Sequence, residues 1–402
     1  MTFLTLRGLT KRYDDAETPC VKNLDLNIER GQIVVLLGPS GCGKTTTLKM
    51  IAGLTEPSSG DILVEGDSVV QIPTEKRPVS MIFQKSLLFP HMTVAENIGF
   101  GLRMRGMKQA IIKRKVNEML DLVRLEGYGD RRALQLSGGQ EQRVSLARGL
   151  IIEPKVLLLD EPFSALDAEL RLEMRGLIMD LKKKIDVTIL FVTHDQQEAV
   201  MLADKIALMI DGEIVQYDNA QTFFTRPLTL RVAEFFGWTN FVPASQKGKT
   251  VTCSLGEFVF DGLEEHNGPM CLTIRPEAAV LCPKGEGIRA VIRSSVYMGT
   301  RIDYRVDCMD AKLGISFDSD QVFEIGEEIF IKLQNNKVWA VRCDGKEPCD
   351  NRIVWGPPLN MQDTSIEARR EQNEGEGIGQ SIGALDRTDE HHGGDSREKD
   401  NP

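Results

Sequence analysis

From residue 33 to residue 210 the chain repeats one hydropathy rhythm. Short unbroken apolar runs alternate with longer stretches of helical spacing. The runs at 33–37 (IVVLL), 79–83 (VSMIF), 156–159 (VLLL), 188–192 (TILFV) and 206–210 (IALMI) lack the alternation of a half-solvated strand. They predict short strands buried on both faces, as in a parallel sheet. Helical spacing covers 44–52, 108–125, 139–151 and 168–184, so strand and helix alternate in an α/β fold with crossover helices. Residues 85–135 break the rhythm with helices alone, which predicts a helical insert.

Past a last helix at 230–236 the pattern changes. Residues 240–356 are rich in Gly, Pro, Val and Thr, with short alternating segments at 250–254, 288–292, 303–306 and 328–332. That pattern predicts a small all-β barrel, OB-like by its strand spacing. From residue 357 aromatic residues vanish and Gly, Glu, Asp and Ser dominate, the composition of a disordered acidic tail. The pair His391 and His392 within it reads as chance rather than as a metal site. The expected organisation is an α/β domain over 1–236, an all-β domain over 237–356 and a tail over 357–402.

Composition narrows the function classes. With 41% hydrophobic and 27% charged residues, the 402-residue chain has enough apolar material for a large core. The formal charge of −10 argues against a nucleic-acid binder, although residues 358–402 carry 11 acidic against 5 basic side chains. No apolar run reaches the roughly 18–20 residues needed to span a bilayer, and the opening MTFLTLRGLT lacks the charged head and apolar block of a signal peptide. The expected location is the cytosol or the cytosolic face of a membrane partner. Eight cysteines without a C-x-x-C pair fit reduced thiols, six of them beyond residue 250.

GPSGCGKTT at 38–46 matches G-x-x-x-x-G-K-[ST] and sits between a strand and a helix, the context this pattern needs. Gly38, Gly41 and Gly43 let the backbone curl so that N–H groups converge on phosphates, and the helix N-terminus adds positive potential. Pro39, Ser40, Cys42 and Thr46 complete the cradle. Lys44 would reach the β- and γ-phosphates and Thr45 would ligate Mg²⁺. In VLLLDEP (156–162) a buried strand ends in two carboxylates. Asp160 suits the metal's outer shell, and Glu161, turned to the other side, suits activation of a water.

Three single residues carry less weight. Gln84 at a strand end has the chemistry to meet metal and water, but equally that of an ordinary strand-end amide. His194, closing another strand, is placed for a γ-phosphate or is a satisfied histidine. Tyr13 has a face for adenine or for plain packing. A second Gly-rich helix start, LSGGQEQR at 136–143, raises a question, because one nucleotide needs one cradle.

Taken in order, Tyr13, GPSGCGKT, Gln84, LSGGQ, LLLDEP, SALD (164–167) and His194 resemble the ATP-binding subunit of an ABC transporter across residues 1 to about 235. The resemblance implies an ATPase with ATP and Mg²⁺ as its ligands. It makes Glu161, His194, Gln84 and Lys44 catalytic, and Thr45, Gln84 and Asp160 the metal set. It also implies a homodimer in which Ser137, Gly138 and Gly139, with Gln140, bind the γ-phosphate of the partner's ATP while Asp167 touches the partner. The second cradle then serves the other chain's nucleotide.

Residues 83–105 and 193–216 are similar to importer ATPases with a C-terminal transport-associated barrel, a group handling polyamines, ferric ion, sulfate, molybdate and sugars. FPHMTV is nearer the polyamine and ferric-ion members. IRPEAAVL (274–281) and YMGTRIDYRV (297–306) resemble the barrel more loosely. The implied partners are membrane permease subunits and, indirectly, an external solute-binding protein, with no nucleic acid. The implied location is the cytoplasmic face of the membrane.

A soluble ABC ATPase of repair or translation is the alternative from another class, but the long coiled-coil insert or second cassette usual there is missing. A P-loop kinase or GTPase leaves LSGGQ and SALD unexplained. Three side expectations follow from the residues. Glu141, where the family usually has Gln, Lys or Arg, would lie near the partner's phosphates. Cys42, at a loop-to-helix junction beside Lys44, would have a lowered thiol pKa. Leu88 and Phe89 would form an exposed apolar pair facing the permease.

Overall fold

The computed structural model describes residues 2–266, 268–343 and 352–353. The expected acidic tail, with His391 and His392, lies outside the described residues.

Six strands form the central sheet in the order Glu213–Asp218, Lys205–Ile210, Ile33–Leu37, Thr188–Thr193, Val156–Asp160, Val79–Ile82. All pair in parallel except the antiparallel edge strand Glu213–Asp218. The unbroken apolar runs now have their reason, because each interior strand feeds two cores. Ile33, Val35 and Leu37 point into the helical side, while Val34 and Leu36 point into the opposite layer. Phe83 falls just outside its strand, which ends at Ile82.

Helix α1 (Lys44–Ala52) packs into the layer of Val34 and Leu36, and the helical side is built by α2 (Val94–Met104), α3 (Gln109–Leu122), α4 (Gly138–Leu150), α5 (Ala168–Lys184) and α6 (Gln196–Leu202). The insert starts with a capping box, in which Thr93 Oγ1 accepts from Glu96 N and the Glu96 carboxylate accepts from Thr93 N. Helix α3 stops short of residue 125 because Arg124 turns into the left-handed region at φ 60°. No helix among the described residues is long and apolar enough to cross a membrane.

The layer on the other side was not foreseen. Val21–Glu29, Thr2–Lys11, Ser59–Val64 and Asp67–Ser68 form a four-stranded antiparallel sheet. Leu4, Leu6 and Leu9 pack with Leu24, Leu26 and Ile28 against Leu48 and Ile51 of α1. The strand Val21–Glu29 alternates buried and exposed as a one-sided strand should.

Two short helices, α7 (Ala220–Thr225) and α8 (Leu230–Phe235), lead into the β module. Their aromatics make the join: Phe223 and Phe236 stack at 4.8 Å in the same core as Trp238, Phe241, Cys271 and Val341. Arg275 adds polar ties, donating to the carbonyls of Phe224 and Phe236 at 3.2 Å each while lying over the Trp238 ring.

The module itself is two antiparallel sheets over one core. One runs Gly256–Val259, Thr250–Cys253, Asn240–Lys247, Met270–Ile274, Val338–Arg342, and the other runs Ala279–Leu281, Glu328–Leu333, Ile288–Tyr297, Arg301–Cys308, Ala311–Asp318. Asn240 pins them together. Its fully buried amide donates to Ile274 O at 3.0 Å and Gly314 O at 2.9 Å and accepts from Gly314 N at 2.6 Å. Asn240→Ala removes hydrogen bonds to three buried backbone groups, each worth about 0.5–1.5 kcal/mol net. The variant is expected to unfold about 2–4 kcal/mol more easily, read as a lower urea midpoint at unchanged slope.

Candidate nucleotide site

The strand Ile33–Leu37 delivers the chain to the loop at 38–43, and the loop's shape demands glycine. A Cβ on Gly38 would meet Met209 O at 2.1 Å, and one on Gly43 would meet Cys20 O at 2.4 Å, with both residues at positive φ. The loop ends at Gly43, the N-cap of α1, whose first residue is Lys44. The Lys44 ammonium is buried and donates to Gly38 O and Pro39 O, both at 2.7 Å, at the centre of the loop. Such an inward-facing curl with a helix N-terminus behind it accepts a chain of phosphates.

Beside the loop, Thr45 Oγ1 donates to Asp160 Oδ1 at 2.9 Å. Asp160 ends the strand Val156–Asp160 and is only 7% exposed. Burial pushes its carboxyl up from the usual range, and the Thr45 hydroxyl works against that rise. A hydroxyl and a carboxylate side by side at the loop are hard oxygen donors of the kind Mg²⁺ takes, so the residues fit the metal.

Glu161 lies next in the chain but faces elsewhere. Its φ of 44° swings the backbone away from strand geometry, while its N–H stays bonded to Val192 O at 3.0 Å. A non-glycine residue held in this region is backbone strain of the kind that clusters at functional sites. The turn brings Glu161 Oε2 to 3.3 Å from His194 Nδ1, an ion-pair separation without hydrogen-bond alignment. Ser164 Oγ donates to Glu161 O at 3.0 Å, and Gln84 Nε2 donates to Ser164 Oγ at 3.0 Å. Thr45, Asp160, Glu161, His194 and Gln84 thus gather at the carboxyl ends of the parallel strands, where α/β sheets bind ligands.

Sequence reasoning missed Ser164, although SALD contains it. It also missed the buried group that sets the His194 turn. There the Glu198 carboxylate accepts from Thr193 Oγ1 at 2.6 Å and sits 3.5 Å from Arg175 Nη2 of α5. Asp195 caps α6 by accepting from Gln197 N and Glu198 N. No sequence period marks Arg175 and Glu198 as partners, since 23 residues separate them.

The signature residues stand apart. Ser137 is the N-cap of α4, in a capping box with Gln140, and both Ser137 and Gly138 are exposed. Gly139 is packed under Leu170. Asp167 caps α5 through Leu170 N and is also exposed. Among the described residues no hydrogen bond or ion pair joins residues 137–140 or Asp167 to the loop at 38–46, Asp160, Glu161 or His194. Tyr13, past the end of the strand Thr2–Lys11, is 42% exposed with the Lys11 ammonium 5.3 Å from its ring.

Glu141 Oε2 accepts from Ser86 Oγ at 2.7 Å in the same chain. Two expectations are corrected. Leu88 and Phe89 are half-buried, Leu88 against the main core and Phe89 against Phe100 at 4.8 Å, with the Asn97 amide bonding both backbone groups of Phe89. The exposed large apolar side chain of this loop is Leu87, at 58%.

Cys42 is 6% exposed, and burial pushes its thiol up, with Lys44 acting in the other direction. Desolvation outweighs the neighbouring charge because the ammonium is 3.8 Å away and already spent on two carbonyls. Maleimide labelling of Cys42 is therefore expected to be slow near neutrality. Followed by peptide mass spectrometry, the rate should climb about tenfold per pH unit from about pH 7 to about pH 9 without a plateau. A plateau in that window would mean a low-pKa thiol.

The chain matches the ABC transporter family over residues 21–164 and the TOBE domain family over residues 272–341. It is 40% identical over 336 residues to the Fe(3+) ions import ATP-binding protein of Escherichia coli K12, covering 82% of this chain and 95% of that one. Identity to the protein of the same description from Pasteurella multocida is 38% over 344 residues, covering 85% and 98%. A spermidine/putrescine import ATP-binding protein of Pseudomonas aeruginosa is 42% identical over 327 residues, covering 77% and 88%.

Proposed function

This chain belongs to the ABC transporter family as an importer ATP-binding subunit carrying a TOBE domain, and from that premise we propose that it powers uptake of ferric ion or a polyamine. It binds ATP and works with membrane permease subunits, as such subunits do. The narrower reading is of a peripheral subunit on the cytoplasmic face, acting as a homodimer and fed from outside by a solute-binding protein. Its parts are an ATPase domain to about residue 236, a regulatory β domain over 237–356 and the tail beyond.

The gathering of Thr45, Asp160, Glu161, His194 and Gln84 around one phosphate loop carries this reading. The loop N–H groups of residues 40–46 and the Lys44 ammonium hold the phosphates, and Tyr13 stacks on the base. Thr45, Asp160 and Gln84 would hold Mg²⁺, which when bound would neutralise phosphate charge. Glu161 accepts a proton from the attacking water as general base. His194 donates towards the γ-phosphate, with Nδ1 3.3 Å from Glu161 Oε2. Residues 137–140 and Asp167 serve the partner's nucleotide across the dimer, which accords with the exposure of Ser137, Gly138 and Asp167 on one chain. Leu87, at the tip of its loop, is the apolar contact offered to the permease.

Uptake of radiolabelled ferric iron and of radiolabelled spermidine, in cells with and without this gene, tests the substrate. Loss of one of the two and its return with the wild-type gene is the expected result. Unchanged uptake of both, with loss of sulfate, molybdate or sugar uptake, would overturn the substrate assignment.

A further inference from the structure

Glu141 lies in the first turn of α4, directly after the signature. Its carboxylate accepts from Ser86 Oγ at 2.7 Å. Seven residues on, two helical turns along the same face, Arg148 donates through Nη1 to Leu87 O at 3.0 Å and through Nη2 to Ser86 O at 3.2 Å. The same guanidinium lies 5.5 Å from the centroid of the Phe89 ring. One stripe of the signature helix therefore grips three residues of the loop at 85–91.

The grip has a physical cost that marks it as imposed. Leu87 sits at φ 42°, a conformation L side chains rarely adopt, and its own side chain is exposed and holds nothing in place. The backbone on either side is held instead by α4. At its other end the loop begins with Gln84, which reaches Glu161 through Ser164. A continuous path thus runs from the backbone carbonyl of Glu161 beside one nucleotide site, through the loop, to the helix whose N-terminus is the signature.

We propose that Glu141 and Arg148 are positioning residues that clamp the loop after Gln84 to the signature helix, so that loop and helix seat together. Neither touches the nucleotide of its own chain. The inference rests on the roles of Gln84 and Glu161 given above, and it assigns Glu141 a task set by its hydrogen-bond acceptor. Ser86 needs an oxygen to donate to, and a glutamine side chain still provides one. Repulsion of a partner's phosphates would depend on the carboxylate charge, which glutamine lacks.

The test compares the full chain with Ser86→Ala, Glu141→Ala, Glu141→Gln and the double variant Ser86→Ala/Glu141→Ala. Two quantities are read: steady-state ATP hydrolysis and amide hydrogen exchange over residues 85–91. Each alanine variant is expected to lower kcat about three- to tenfold, the reach of one charge-assisted hydrogen bond partly replaced by water. KM for ATP should stay within about twofold. The double variant should be no worse than either single one, since both remove the same bond. Glu141→Gln should restore most of kcat, and loop amides should exchange faster in the alanine variants alone.

Full activity and unchanged exchange in Ser86→Ala would overturn the clamp. So would Glu141→Ala and Glu141→Gln behaving alike, or losses that add in the double variant. Exchange needs no turnover, so it judges the clamp even where Glu161→Gln retains activity and the catalytic assignment fails.

Discussion

Replacing Glu161 with glutamine is expected to leave ATP binding intact and to slow hydrolysis by roughly 10²–10⁴-fold, the usual worth of a general base. The replacement keeps the shape of the side chain and removes only its ability to take a proton. Nothing in the phosphate cradle depends on that proton, since Lys44 is held by loop carbonyls and Thr45 bonds Asp160. The backbone at Glu161 is strained at φ 44° but fixed from outside by Val192 O and Ser164 Oγ, so the amide side chain inherits the same position. Binding measured by nucleotide fluorescence and hydrolysis by phosphate release should therefore separate. Near wild-type turnover in Glu161→Gln would take the general-base role from this residue.

The second large effect concerns two defective chains that repair each other. Lys44→Ala removes the ammonium from the phosphate loop, and Ser137→Arg blocks the start of α4. If each active site drew Lys44 and Ser137 from one chain, each mutant would carry only dead sites and mixing would restore nothing. The structure of one chain gives reason to expect otherwise, because Ser137 and Gly138 face solvent and bond only within their own turn. In a head-to-tail dimer the Ser137→Arg chain contributes an intact Lys44, and the Lys44→Ala chain contributes an intact Ser137. One site becomes whole and the other doubly broken.

Hydrolysis by the mixture is expected to rise from near nothing to at most about half the wild-type rate, and less if the two sites fire together. ATP should also draw the mixed chains into dimers. A ligand at a hundred times its Kd favours the form that binds it by about 2.7 kcal/mol. Sedimentation reads the dimer and phosphate release reads the activity. Cross-linked mixed dimers that stay inactive would exclude the shared site.

What the sequence determined by itself was whatever rests on local backbone requirements or on burial from both sides. The phosphate loop was legible because only glycine fits at Gly38 and Gly43, where a Cβ would strike a carbonyl. The central strands were legible because a strand feeding two cores must be apolar throughout, as Ile33–Leu37 is. Helices α1 and α5 were placed at their observed ends by apolar spacing, with Gly43 and Asp167 just before them.

The tertiary structure decided what depends on partners distant in the chain. Val21–Glu29 and Thr2–Lys11 have strand periods, yet their pairing beside Ser59–Val64 is a matter of which apolar faces meet over α1. The first-turn position of Glu141 is legible in the sequence, but its bond to Ser86, 55 residues earlier, is set by the fold. Cys42 was judged by its charged neighbour, yet burial under the loop sets its proton affinity in the opposite direction. Leu88 and Phe89 were judged by hydropathy, and the loop's left-handed turn at Leu87 carries both inward. Charge, burial and loop direction are sums over everything packed around a residue, and local periodicity holds no record of those neighbours.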